Sequence, residues 1–177
     1  MLYSCNYTCA YCNIIRGRVN CNPEQTKHKI MELAVFKNIW DRIYDLYYSC
    51  AIRLTGGEPS IYPDFIRLVA FLTEKHVVNI NTNLSFDIYK FMEKVPHQNV
   101  CLNVSFHPEF ITIEDLMVKL RVLMKNGYGC SVCCASYPPF LKDLERYKEI
   151  LAGDNIPFNM SPFMGTYESR NFPNDYN

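Results

Sequence analysis

The chain has 177 residues, 49% of them hydrophobic and 20% charged, with 13 Tyr, 11 Phe and only 7 Gly; this is enough apolar material for one core and excludes a disordered or low-complexity chain. Lys plus Arg balances Asp plus Glu at 18 each, so no positive field gathers nucleic acid or an acidic membrane surface, and neither is expected as a partner. No apolar run approaches the roughly 20 residues of a membrane span, and the start, Met-Leu-Tyr-Ser-Cys, has neither the basic nor the apolar region of a signal peptide, so the chain reads as cytoplasmic.

In chain order, Thr26 to about Tyr48 carries apolar residues at helical spacing (Ile30, Leu33, Ala34, Trp40, Ile43, Tyr47) and predicts one long helix. A short apolar run, Ala51 to Thr55, ends in Gly56-Gly57 and reads as a strand. Pro63 suits a first helical turn, and Phe65, Leu68, Val69 and Leu72 give the following helix a buried face. Val77 to Thr82 is the second strand. Ser85 can cap a helix that Pro96 stops, and Val100 to Phe106 is the third strand. Thr112 with Asp115 resembles a capping box opening a helix that Gly127 ends. Cys130 to Ser136 is a strand, Leu141 to Ala152 a helix closed by Gly153, and Pro157 to Phe163 a last strand. Residues 1–164 therefore form one core domain, and the polar tail 165–177 is assigned no regular structure.

Five helices alternating with five strands predict a parallel α/β sheet with right-handed crossovers. Alternate strand residues point to opposite faces. Asn79 and Asn81, then Asn103, Ser105 and His107, Arg53 and Thr55, and Asn159 and Ser161 fall on one face, while Val78, Ile80, Leu102, Val104, Phe106, Ile52, Leu54, Phe158 and Met160 fall on the other. Crossover helices need apolar surface, so the polar face should line an interior chamber, as in a barrel or partial barrel. A doubly wound sheet, which wants both faces apolar, ranks second. An ordinary sheet whose buried Asn residues satisfy backbone groups is the plain alternative.

Nine cysteines are an odd number in a chain without an export signal, which fits metal binding better than a disulfide framework. Cys50, Cys101, Cys130, Cys133 and Cys134 fall in or beside apolar runs and read as core packing. Cys130 and Cys133 form a C-x2-C whose members point to opposite faces of a strand, which disfavours a shared role. Cys5, Cys9 and Cys12 make a C-x3-C-x2-C. Three thiolates can hold three irons of a four-iron four-sulfur cluster and leave the fourth open to a ligand. With Cys21 added, a closed four-thiolate zinc site is the alternative. The second motif is Leu54-Thr55-Gly56-Gly57-Glu58-Pro59, where glycines permit close backbone approach and Glu58 can accept from an ammonium group. In parallel barrels the ligand site lies at the carboxyl ends of the strands, where this segment, Asn81, Ser105 and His107 should collect.

The cysteine triad with Tyr11 before its last member, followed by Gly-Gly-Glu-Pro on the next strand, resembles the radical S-adenosylmethionine (SAM) superfamily. Thr82-Asn83 and Ser105 add to the likeness, which covers roughly Leu2 to Phe163. The stretch Ser105 to Phe110, with Tyr137-Pro138-Pro139, is similar to an uncharacterised branch of it. The resemblance implies a partial (β/α)6 TIM-like barrel whose first strand is missing or truncated here, since only Met1 to Ser4 precede Cys5. It implies that Cys5, Cys9 and Cys12 hold a 4Fe-4S cluster and that SAM chelates the open iron. Gly56, Gly57 and Glu58 would then meet the methionyl ammonium, Asn83 and Ser105 the ribose or carboxylate, and Tyr11 the adenine side, with Asn81 and Thr82 beside them. One electron would cleave SAM to a 5'-deoxyadenosyl radical that takes hydrogen from a small-molecule or peptide substrate, the electron coming from a reductant such as a flavodoxin or ferredoxin. His107 is a candidate substrate contact. Arg53 would meet an anionic substrate or balance a buried Glu58, the second being the commoner fate of a buried charge. Outside this class, a non-catalytic iron-sulfur or zinc module, or an inactive fragment, is the competing expectation.

Overall fold

A computed structural model of the chain describes residues 4–12 and 30–172. Cys21 and the expected first turn of the long helix lie outside them. The first helix, α1, is Leu33–Tyr47. Ile30 to Glu32 are not helical, Glu32 being extended, so the stripe expected from Thr26 is shorter at its start. Strand β1 is Ala51–Leu54, followed by a single 3-10 turn over Pro59–Ile61 and by α2, Phe65–Thr73. Pro63 precedes α2 rather than sitting in its first turn. The residue before it, Tyr62, is extended, as steric conflict with a proline ring favours, and that delays the helix to Phe65.

Strand β2, Val77–Thr82, leads to α3, Ile88–Lys94. The expected cap moves from Ser85 to Asp87, whose carboxylate accepts from the N–H groups of Tyr89 at 3.0 Å and Lys90 at 3.2 Å. Strand β3 is Val100–Phe106. Helix α4, Ile113–Lys125, starts as expected at Thr112, whose hydroxyl accepts from the Asp115 N–H at 3.1 Å. Gly127 ends it at φ +85, and a β-carbon there would meet the His97 ring at 2.9 Å, so both conformation and space demand glycine. Strand β4 is Gly129–Ala135. A 3-10 stretch over Pro138–Asp143 precedes α5, Leu144–Gly153. Asn155 at φ 56, rather than Gly153, takes the left-handed position after α5. Strand β5 is Phe158–Ser161.

The tail expectation needs correction. Gly165–Tyr167 (β6) pairs antiparallel with Arg170–Phe172 (β7). The two residues between them, Glu168 and Ser169, both have positive φ, the geometry that matches a two-residue turn to the twist of a hairpin. Phe163 and Phe172 meet edge to face at 5.4 Å, which gives this short hairpin an apolar anchor.

Strands β1 to β5 form one sheet in the order β1-β2-β3-β4-β5, every neighbouring pair parallel. A doubly wound sheet reverses its order at a switch point; this one does not. The apolar face carries Ile52, Val78, Ile80, Leu102, Val104, Phe106 and Val132 into one core with Leu68, Val69 and Leu72 of α2, Phe91 of α3, Leu116, Leu120 and Leu123 of α4 and Leu151 of α5. The polar face is stepped in rows across the strands. Arg53 pairs with Asn79, Asn81 with Asn103 and Asn103 with Ser131, and Ser105 with Cys133. The Ser131 hydroxyl donates to the Asn103 amide oxygen at 2.8 Å, and Cys133 Sγ lies 2.7 Å from Ser161 Oγ. The architecture is the expected partial barrel. Among the described residues it has five parallel strands rather than six.

The register divides the later cysteines. Cys134 is buried in the core and Cys130 packs against it, and burial pushes each thiol up to about 12. Cys101 and Cys133 are half-buried on the polar face instead, because each shares strand parity with Asn103 or Ser131. The core assignment of these two is corrected by period-two geometry. Cys50 is also half-buried and outside the apolar core.

Candidate active site

The loop bearing Cys5, Cys9 and Cys12 lies across the carboxyl ends of four strands. At β1, the Glu58 N–H donates to the Ser4 carbonyl at 2.9 Å. At β2, the Asn6 amide donates to Ser85 Oγ at 2.9 Å and accepts from the Asn83 amide at 2.9 Å. At β3, Tyr11 Oη is 2.7 Å from His107 Nδ1, Cys9 Sγ is 3.3 Å from the same nitrogen, and the Ala10 N–H donates to Glu109 Oε2 at 3.1 Å. Beyond β4, the Tyr11 ring packs on Tyr137 at 5.2 Å and Phe140 at 5.5 Å. Within the loop, the Cys12 N–H bonds the Cys9 carbonyl at 3.1 Å.

Loop and strand ends enclose a cavity of about 210 Å³. Its walls contain Cys5, Cys9, Cys12 and Tyr11 from the loop, Gly56, Gly57 and Glu58 after β1, Asn81, Thr82 and Asn83 from β2, and Ser105 and His107 from β3. Every site residue anticipated from the sequence is there except Arg53. Tyr7 and Thr55 complete the lining. Arg53 is exposed and makes no ion pair among the described residues, so it does not balance Glu58. Its place one row below Asn81 sets it too far from the strand ends.

Glu58 is 1% exposed and neutralised by no cation among the described residues. Its Oε1 accepts from the Ser60 N–H at 3.0 Å and the Thr82 hydroxyl at 2.7 Å, and its Oε2 accepts from the Asn83 N–H at 2.7 Å. A carboxylate offers about four acceptor sites; three are used, and the remaining one is on Oε2. The residue therefore ties the β1 turn to the end of β2 and still has capacity for one further donor. Gly56 at φ 158 lets the backbone make this turn without a side chain over the cavity.

Burial governs the ionisation of the loop. The Cys9 thiol is pushed up to about 11 by burial, opposed by its contact with Tyr11. Burial also raises Cys5 and Tyr11. His107 is pushed down to about 4 by burial alone, so its ring is neutral near pH 7 and either accepts the Tyr11 O–H at Nδ1 or donates Nδ1–H to the Cys9 sulfur. The unfolded chain, with an ordinary histidine near 6.5, binds more protons than the folded one between about pH 6.5 and 4. Stability is accordingly complete above pH 6.5 and falls through that window, by up to about 3 kcal/mol for His107. Urea unfolding of the apoprotein at pH 7 and pH 5 should show the loss, and a His107→Asn variant should show less of it. The buried His76 is also lowered by burial and acts in the same direction.

No family model matches the chain, and no curated protein matches it. Solved structures do. One is native anSMEcpe with bound AdoMet and the Kp18Cys peptide, at TM-score 0.71 and 13% identity over 97% of this chain and 52% of that one. Another is histidine-tagged anSMEcpe with bound AdoMet, at TM-score 0.70 and 14% identity over 94% of this chain and 52% of that one. The chain shares the partial-barrel fold of these structures. It spans about half the length of these structures, and at this identity the likeness is one of fold.

Within that fold, sequence reasoning located the cavity residues but not the groups that seat the loop. Asn6, Tyr7, Glu109, Phe110 and Phe140 had no assigned role. Glu109 and Phe110 lie in the stretch from Ser105 to Phe110 that the family likeness had marked, and Tyr137 in the other marked stretch; that likeness was the available signal.

Proposed function

We propose that this chain is a radical SAM enzyme core, with Cys5, Cys9 and Cys12 as cluster ligands and the cavity beside them as the SAM site. The observation that carries the reading is the convergence of the three thiols and the Gly56-Gly57-Glu58 turn on one cavity at the carboxyl ends of parallel strands. The donor set fits a cluster. Three soft sulfurs come from one short loop and line one cavity. Thiolates that each take a different iron do not need to converge on one point.

A cluster held by Cys5, Cys9 and Cys12 would, when bound and reduced, supply one-electron chemistry to SAM in the cavity. This chain's residues do the rest. Glu58 offers its free Oε2 acceptor site to the methionyl ammonium. Gly56 and Gly57 leave room for that end of the molecule. Asn81 and Ser105 present polar groups, and Thr82 and Asn83 hold the turn in shape. The Tyr11 ring, fixed by His107 and Tyr137, supports the adenine side. Tyr7 and Tyr11 are the aromatic members of the cavity wall, and Tyr137 and Phe140 pack against the Tyr11 ring.

A peptide is the first substrate class to test, because structures of this fold were obtained with peptides bound; a small molecule is the next. A flavodoxin or ferredoxin is the proposed reductant, and the cytoplasm the proposed compartment. The deciding experiment is anaerobic reconstitution with iron and sulfide, then SAM and dithionite, with 5'-deoxyadenosine quantified by chromatography. Formation of 5'-deoxyadenosine is expected. Its absence from protein that has a full cluster would overturn the enzyme reading and leave a non-catalytic iron-sulfur module.

A further inference from the structure

The turn after β3 holds the cysteine loop through three consecutive kinds of contact. Polar contacts join His107 to Cys9 and Tyr11. A backbone contact joins Glu109 to the Ala10 N–H at 3.1 Å. Stacking joins Phe110 to Tyr7, ring centroids 4.2 Å apart and planes within 4°. Ala10 is half-buried between two buried residues, Cys9 and Tyr11, and its bond to Glu109 lies at the exposed edge of the loop. Phe110 is 41% exposed, and its one aromatic neighbour among the described residues is Tyr7. Pro108 stiffens the turn between the two anchors, and the Phe110 N–H closes it on the His107 carbonyl at 2.9 Å.

We propose that the His107-Pro108-Glu109-Phe110 turn is the seat that keeps the cysteine loop in its ligating conformation, with Glu109 as a positioning residue that accepts the Ala10 N–H and so sets its carboxylate against the Cys9–Ala10 peptide. The contacts rest on geometry alone. Their effect on a cluster rests on the cluster reading above. A carboxylate set against the peptide of a ligating cysteine disfavours adding an electron to a bound cluster, and so makes the reduced cluster a stronger reductant. Groups that fix ligands in this way typically change metal retention by 10- to 100-fold when removed.

Three variants separate these effects. Glu109→Ala removes acceptor and charge, Glu109→Gln keeps an acceptor oxygen without the charge, and Phe110→Ala removes the stack. Amide hydrogen exchange of the apoprotein reads the seat without any cluster. Faster exchange across Tyr7 to Cys12 is expected in Glu109→Ala and Phe110→Ala, with wild-type protection in Glu109→Gln and in the sheet amides of all three. Unchanged loop exchange in Glu109→Ala and Phe110→Ala would overturn the seat. In reconstituted protein, iron loss to a chelator should be roughly tenfold faster in the two alanine variants. The reduction potential should move in the positive direction in Glu109→Gln, and an unmoved potential would overturn the charge role. If wild-type protein takes up no cluster, the enzyme reading fails while the exchange result still decides the seat; if Phe110→Ala does not fold, the Glu109 pair decides it.

Discussion

Glu58→Ala is expected to lose about 3 to 5 kcal/mol of stability in urea unfolding of the apoprotein, the range for removing one member of a buried charged network. The carboxylate satisfies the Ser60 and Asn83 N–H groups and the Thr82 hydroxyl, and Thr82 and Asn83 are themselves 2% and 4% exposed. Alanine would leave these donors without partners in a place water reaches poorly. Glu58→Gln should fall between. Its amide oxygen can keep Ser60 and Thr82, but its NH2 then faces the Asn83 N–H, donor against donor. A loss below about 1 kcal/mol in the alanine variant, the size of a single ordinary hydrogen bond, would show that the turn is organised by something other than this side chain.

Cys9→Ala should abolish cluster assembly, with iron after anaerobic reconstitution falling from about four per chain to a trace. Cys9 is buried in a small second cluster with Tyr11, Tyr137 and Phe163, and it also lines the cavity, so the apoprotein's thermal midpoint should fall by several degrees, equivalent to about 1 to 2 kcal/mol. Cys21→Ala is the matched control. An open triad keeps its iron in that variant; a closed site of four cysteines loses it. Iron retained in Cys9→Ala would remove Cys9 from the ligand set and the cluster loop from the reading.

The polar and apolar faces of the sheet were legible because a parallel strand encodes its two sides by simple alternation, and that single rule also placed Asn81, Ser105 and His107 in the cavity. The cysteine spacing and the Gly-Gly-Glu turn were legible because both are local. What escaped was of three kinds. The hairpin at Gly165 to Phe172 escaped because its turn residues, Glu168 and Ser169, are not the Asn-Gly or Asp-Gly pairs that announce positive φ. The partner of Glu58 escaped because a nearby Arg53 invites an ion pair, whereas backbone N–H groups, invisible in sequence, do the neutralising. The seat of the cysteine loop escaped because it joins Tyr7 and Ala10 to Phe110 and Glu109 across the length of three strands, and no periodicity spans that separation. The misplacement of Cys101 and Cys133 was of a different sort: composition suggested core, and strand parity, applied to them as it was to Asn103, gives the polar face.

The seating of the loop across the ends of β1 to β4 also sets an order in time. Synthesis delivers Cys5, Cys9 and Cys12 well before the surface that Tyr11 rests on, which includes Tyr137 and Phe140. At about 5 to 20 residues per second, the thiols wait on the order of ten seconds before their seat exists, exposed to whatever oxidants and stray metals the nascent chain meets. Neighbouring strands in the sheet are also neighbours in sequence, so the barrel can grow one βα unit at a time. The three thiols are made early and held late, once most of the barrel is in place.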